Sequence, residues 1–197
     1  MTKYELSDTD KMGVSKHVKV FIFYELQSTI DLNKLISSIL EGVRNTTRQL
    51  PFMAGHFQAD DSGQLCIVAP EGSQVNVNVR RFEPTEEKSL FMMAKDSSPN
   101  EQDLAQLLPQ ESAAENLVCA LQLSVIEGGL ILGLRMNHAA GDWSSIDTFL
   151  SLICRSSKAY LKGLEMPTYK PDLNRAPYDI PASNAAISRH DLLERLP

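Results

Sequence analysis

Two stretches of the sequence place a histidine four residues before an aspartate: His138-Ala139-Ala140-Gly141-Asp142, and His56 with Asp60. A neutral imidazole can take a proton from a hydroxyl or amine near pH 7, and a carboxylate close by can order the loop that carries it. The spacing alone is weak evidence, since four histidines and twelve aspartates in 197 residues give about 0.24 chance matches. Context separates the two. His138 ends an apolar strand pattern, three small residues after it let the chain turn, and a helical pattern follows at once. Such a junction holds a side chain on a rigid scaffold while leaving its tip accessible. His56 lies inside the apolar run Pro51-Phe52-Met53-Ala54-Gly55-His56-Phe57, and Asp60 belongs to a polar turn, so that pair reads as incidental. His138 and Asp142 are the candidate catalytic residues.

Plainer readings stand beside these. A lone histidine on an apolar strand is commonly a core residue whose ring nitrogens are satisfied by backbone. An aspartate two residues before Ser144 is well placed to cap the next helix, whatever else it does. Trp143, the only tryptophan, is most simply a packing residue. Other chemistries fail on inspection. Phosphate loops of the GxGxxG and GxxxxGKS/T kinds are absent, as are HExxH and GxSxG, and four scattered histidines offer no metal-binding cluster. Cys66, Cys119 and Cys154 are far apart, odd in number and without a CxxC pair, so they read as buried thiols of a reducing compartment. Cys119 and Cys154, inside apolar strand and helix patterns, read as inert.

The elements that position His138 are legible from periodicity. Leu117–Val125 and Leu130–His138 are strand patterns joined through Ile126-Glu127-Gly128-Gly129, which supplies the positive-φ residues of a tight hairpin. Counting by two from Leu130 through Leu132, Leu134 and Met136 puts the His138 imidazole on the same apolar face. From about Ser144 the period becomes helical, with Ile146, Phe149, Leu150 and Ile153 on one side, a capping box from Ser144 to Asp147, and a stop at Gly163 and Pro167.

Earlier in the chain, His17–Leu26 is too uniformly apolar to have a wet face and reads as a strand buried on both sides. Asp31 caps an amphipathic helix to about Arg48 that carries Leu32, Leu35, Ile36, Ile39, Leu40 and Val43 at helical spacing. Pro51–Gln58 and Gln64–Ala69 read as a hairpin, and Val75, Val77 and Val79 as a half-exposed strand. Residues 83–112 are acidic and proline-containing, with a short helical pattern at Leu104, Leu107 and Leu108, and read as a surface excursion. The tail from 165 is proline-rich and extended before a helical turn at Asp191–Leu196.

Length and charge bound the rest. A chain of 197 residues with 43% apolar and 22% charged residues folds as a compact domain without metal or disulfide support. Its net charge of -6 leaves no basic footprint for nucleic acid and no polybasic run for an anionic membrane. The polar start, MTKYELSDTDKMG, lacks the core of a signal peptide, and no apolar run reaches membrane-spanning length, so the expected location is cytoplasmic.

The early strand, the segment IDLNKLISSILEGVRNTTRQLPFMAGHF, the hairpin, and the later strand running into His138-Ala139-Ala140-Gly141-Asp142 and a helix resemble the BAHD acyltransferase superfamily, in its fungal trichothecene 3-O-acetyltransferase-like branch. The resemblance covers about residues 6–175. It implies an α/β fold of the chloramphenicol acetyltransferase kind, a two-layer mixed sheet with flanking helices forming one half of the usual two-domain enzyme. Residues 1–175 are then the N-terminal domain, and 176–197 an extended crossover tail. It also implies that His138 is the general base, that Asp142 orders the loop, that acyl-CoA is the co-substrate with no permanently bound cofactor, and that the acceptor is a hydroxyl or amine of a small secondary metabolite. The sequence departs from the family pattern at Trp143, where a Gly is common, and at His56, where an Arg is common. A DFGWG-like segment of the second domain is not found in these residues, so a complementary half or a homodimer is an expected partner. Two alternatives stay open: a CoA-independent isomerase or cyclase that uses the same histidine, and an inactive half that binds a partner.

Overall fold

The structure, a computed structural model, describes residues 1–83, 101–110 and 116–173. The described residues form two sheets. Strands β1 (Thr2–Glu5), β3 (His56–Ala59) and β4 (Leu65–Ala69) make a small antiparallel sheet in the order β1-β4-β3. Strands β2 (His17–Glu25), β5 (Asn76–Arg81), β6 (Cys119–Ile126) and β7 (Gly129–Asn137) make the main sheet in the order β2-β7-β6-β5. In it β5 runs parallel to β6 and the other neighbours are antiparallel. The helices are α1 (Asp8–Lys11), α2 (Leu32–Gln49), α3 (Glu101–Gln106) and α4 (Trp143–Lys162). This is the mixed α/β architecture expected.

The β6–β7 hairpin is the centre of the molecule. Ile126 pairs with Gly129 across a two-residue turn in which Gly128 has φ 82°, the left-handed conformation such turns require. All nine residues of β7 are buried. Leu130, Leu132, Leu134 and Met136 meet Ile36 and Val43 of α2 and Ile146, Phe149 and Ile153 of α4. On the opposite face Ile131 packs with Leu107 and Ile126. Each strand face is thus covered by other chain segments, which is why the hairpin reads as nearly continuous hydrophobicity.

Helix α2 starts where Asp31 accepts a hydrogen bond from the Lys34 amide at 3.0 Å. Its buried side includes Ser38, Gly42, Thr46 and Thr47, small residues that let α4 approach. A Cβ on Gly42 would lie 2.6 Å from the Ile153 carbonyl oxygen, and Asn45 donates to Ser156 Oγ at 3.0 Å across the helix pair.

The structure corrects several expectations. Among the described residues His17–Glu25 is an edge strand that pairs only with β7, and none of its residues is fully buried: Phe23 is exposed while Val18, Val20 and Ile22 reach the core. Pro51–Ala54 is a 3-10 turn, so the hairpin begins at His56. The polar N-terminus carries β1 and α1, with Ser7 and Asp10 forming a capping box that spacing alone could have shown. Leu107 and Leu108 are buried against the sheet, so this part of the acidic stretch is core and not surface. Residues 84–100 and the helical turn at Asp191–Leu196 lie outside the described residues, as does the 175/176 boundary.

Gly133 of β7 faces the Leu107 backbone, and a Cβ there would lie 2.0 Å from the Leu107 carbonyl oxygen. A backbone atom cannot yield as a side-chain tip can. We expect Gly133→Ala to lower stability by about 1–3 kcal/mol, read as a lower urea midpoint at unchanged slope, despite the usual advantage of alanine over glycine.

Candidate active site

Strand β7 ends at Asn137, and His138–Ala140 form a single 3-10 turn before Asp142 opens α4. Strand parity therefore stops one residue short of the histidine. The His138 side chain is exposed, in place of the expected position on the apolar face of Leu130 to Met136. Its backbone is held: the His138 amide donates to the Lys16 carbonyl at 2.8 Å, and the Asn137 amide donates to the Val118 carbonyl at 2.9 Å. Ala139 and Ala140 are buried. An exposed imidazole thus stands on a piece of main chain held by hydrogen bonds on both sides of the strand end.

Asp142 is the N-cap of α4. Its Oδ1 accepts from the Ser145 amide at 2.9 Å and from Ser145 Oγ at 3.0 Å. These bonds, the Ser145 amide first, hold its carboxyl below the ordinary carboxylate range. The capping pair expected at Ser144 and Asp147 is replaced by Asp142 and Ser145, because the N-cap falls two residues earlier, at Asp142, and the helix begins at Trp143. Gly141 makes the approach possible: a Cβ there would lie 2.5 Å from the Ser145 Cβ. The two candidate residues share one turn and are both exposed, and the carboxylate bonds to its own helix rather than to the imidazole. Trp143 is 67% exposed, which removes the packing role expected of it.

A cleft of about 610 Å³ opens beside this turn. Ala139 and Ala140 form part of one wall, Ser144 and Thr148 of α4 another, and Phe52 and Met53 of the 3-10 turn a third. Tyr169 and Pro171 of the extended tail border it, and the tail is tied down where Gln49 and Asn45 of α2 donate to the Pro167 carbonyl at 3.0 and 3.2 Å. His138 does not line this cleft.

The other candidates are accounted for. Asp60 pairs with Lys3 at 2.5 Å and accepts from Ser62 and Gln64 within its turn; the lysine above all, then these bonds, pushes its carboxyl well down. His56 pairs with Val68 in β3, so the second histidine–aspartate match serves the small sheet. Cys66 and Cys119 are buried, and burial pushes the Cys119 thiol up. Cys154 is exposed, contrary to expectation: it sits one helical step beyond buried Ile153, with the Tyr24 hydroxyl 3.9 Å from its sulfur. Among the described residues no cluster of three or more histidine, cysteine or acidic side chains could hold a metal, and no helix is long and apolar enough to cross a membrane.

A family model described as the Transferase family matches residues 2–191. The chain belongs to this family, that of the BAHD acyltransferases. It is 26% identical over 174 residues to acetyl-CoA-benzylalcohol acetyltransferase of Clarkia breweri, covering 86% of this chain and 38% of that protein. It is 22% identical over 183 residues to acyltransferase cm3D of Cordyceps militaris, covering 79% and 36%. The chain therefore spans less than two-fifths of the length of these curated relatives. In fold it is similar to vinorine synthase, with a TM-score of 0.68 at 18% identity over 92% of this chain and 44% of that one. It is also similar to F. sporotrichioides TRI101, solved with coenzyme A and T-2, with a TM-score of 0.59 at 19% identity over 80% and 41%. The BAHD fold expected from the sequence is the fold observed.

Asn137 and Gly13 were not picked out by sequence reasoning, yet both touch the turn. A buried asparagine at a strand end, next to the motif histidine, was the available signal. For Asp142 the expected result is a cap effect with a defined pH dependence. Its folded-state pKa lies below the unfolded value of about 3.9, so its contribution is complete above that value and is lost as pH falls through the folded one. Asp142→Ala should cost about 0.5–2 kcal/mol at pH 6, and the gap to the wild type should shrink on acidification below about pH 4, measured by denaturant unfolding across pH.

Proposed function

We propose that this BAHD chain takes part in acyl transfer from an acyl-CoA to a hydroxyl or amine of a small secondary metabolite, with His138 as general base. The observation that carries the reading is the exposed imidazole on a main chain fixed by the end of a buried strand. A base must meet the acceptor's proton with small error, and a group displaced by about 1 Å forfeits much of the advantage of positioning.

In this reading the imidazole takes the proton as the acceptor oxygen or nitrogen bonds to the thioester carbonyl carbon. The tetrahedral intermediate then collapses with cleavage of the carbon–sulfur bond, and the departing thiolate takes the proton from the imidazolium. No electrons are exchanged and no bound cofactor takes part; acyl-CoA is a co-substrate. Asp142 acts through the backbone, by fixing the first turn of α4 behind the histidine. The names of the relatives support this class of chemistry, one of them acetylating benzyl alcohol from acetyl-CoA and TRI101 having been solved with coenzyme A and T-2. Because the chain spans less than two-fifths of the curated relatives, a complementary half or a second copy is part of the proposal.

The test is incubation of the chain with acetyl-CoA and a panel of alcohols and amines, following free thiol release. Thiol release that requires the acceptor is expected, falling by about 10²–10⁴-fold in His138→Ala. Full activity in that variant would remove His138 as the base, and turnover of a metabolite without CoA would favour an isomerase or cyclase instead.

A further inference from the structure

The turn that carries His138 is bound on one side to the segment linking α1 and β2, through one buried side chain and one main-chain hydrogen bond. Asn137 is 1% exposed. Its Oδ1 accepts from the Ala139 amide at 2.9 Å, and its Nδ2 donates to the Val14 carbonyl at 2.7 Å. From the same segment the Lys16 carbonyl accepts the His138 amide at 2.8 Å. Gly13 closes the contact, since a Cβ on it would lie 2.9 Å from both the His138 carbonyl carbon and the Ala139 nitrogen.

Only a carboxamide of this length meets both demands. One partner is an N–H and needs an acceptor, and the other is a carbonyl and needs a donor. Aspartate lacks the donor, glutamine is one methylene too long, and an apolar residue would leave the Val14 carbonyl without this bond. The side chain's orientation is fixed by the same demand, because the flipped amide would set donor against donor and acceptor against acceptor. An asparagine is a costly residue to bury beside an apolar core unless it is fully used, and here both ends are used.

We infer that Asn137 is a positioning residue for His138: it ties the 137–139 main chain to Val14, and through that segment holds the Lys16 carbonyl that fixes the histidine's own amide. The inference rests on the reading of His138 as the base. Asn137 itself touches no reacting atom. Its removal acts on where the imidazole stands, so the effect falls on turnover and not on binding of the acyl donor.

The experiment uses the full chain and two readouts. Amide hydrogen exchange followed by NMR reports the anchors directly. Asn137→Ala should speed exchange at both Ala139 and His138 by about tenfold or more. Asn137→Asp keeps the acceptor and loses the donor, so Ala139 should stay protected while His138 exchanges faster. In thiol-release kinetics Asn137→Ala should lower kcat by about 10–100-fold with KM for acyl-CoA changed by less than about twofold, and Asn137→Asp should fall between it and the wild type. Should Asn137→Ala fail to fold, Gly13→Ala presses on the same contact with Asn137 in place, and should give the same kcat-selective loss.

An Asn137→Asp chain with His138 as protected as in the wild type would overturn the inference. So would wild-type kcat in Asn137→Ala or Gly13→Ala when His138→Ala has lost turnover. If His138→Ala keeps full turnover, the base reading fails and takes the inference with it, which separates the two failures.

Discussion

Burial of β7 along its whole length is the constraint from which the placement of the candidate site follows. A strand with every residue covered needs a neighbour on each edge and a layer on each face, and here β2 and β6 supply the edges while α2 and α4 supply one face and the Leu107 region the other. Such a strand can neither slide nor fray at modest cost, because a one-residue slip would exchange Leu132 and Leu134 for Ile131, Gly133 and Arg135 on the helix face. The point at which it ends is therefore sharply defined. It ends at Asn137, whose amide still bonds to Val118 of the hairpin partner's approach, and the next residue is the histidine.

Periodic, strongly buried segments were legible in the sequence. The alternation from Leu130 to Met136, the Gly128 turn, the helical spacing from Leu32 to Val43 and the Asp31 cap all depend on local chemistry, and local chemistry is what a sequence displays. The errors arise where tertiary context decides. Val18, Val20, Phe21, Ile22 and Phe23 read as a doubly buried strand, but whether a strand lies at an edge depends on how many neighbours it has, and composition does not record that. The reverse happened at Leu107 and Leu108, whose acidic surroundings suggested solvent while the missing Cβ of Gly133 admits them to the sheet.

At the site itself the residues were legible and their geometry was not. Projecting strand parity onto His138 assumed that the strand continued through it; a 3-10 turn starts there, and the side chain leaves the apolar face. The cap was misplaced by the same kind of step. Ser144 and Asp147 have the spacing of a capping box, but Gly141 lets Ser145 come close enough for Asp142 to serve, and the helix starts earlier. Asp142 thus has a complete structural explanation as a cap. That is compatible with the part the family resemblance implies for it, since a carboxylate bound to Ser145 orders the turn behind the histidine without reaching the imidazole.

The fixed position of the turn is a property of this chain. Its anchors are the carbonyls of Val14, Lys16 and Val118 and the amide and hydroxyl of Ser145, drawn from three separate parts of the described structure. Between the histidine and the Asp142 cap stand only Ala139, Ala140 and Gly141, and their smallness has two physical consequences. It allows the main chain to reverse within three residues, and it leaves the wall of the adjoining cleft built of methyl groups and backbone. Ala139 and Ala140 are buried and line the cleft, so larger side chains there would have to press into the core or fill the cleft, and either would move the histidine's neighbours. A held main chain, an exposed imidazole and an open space alongside are different requirements, and in this turn a single run of small residues between two polar anchors, Asn137 and Asp142, meets all three.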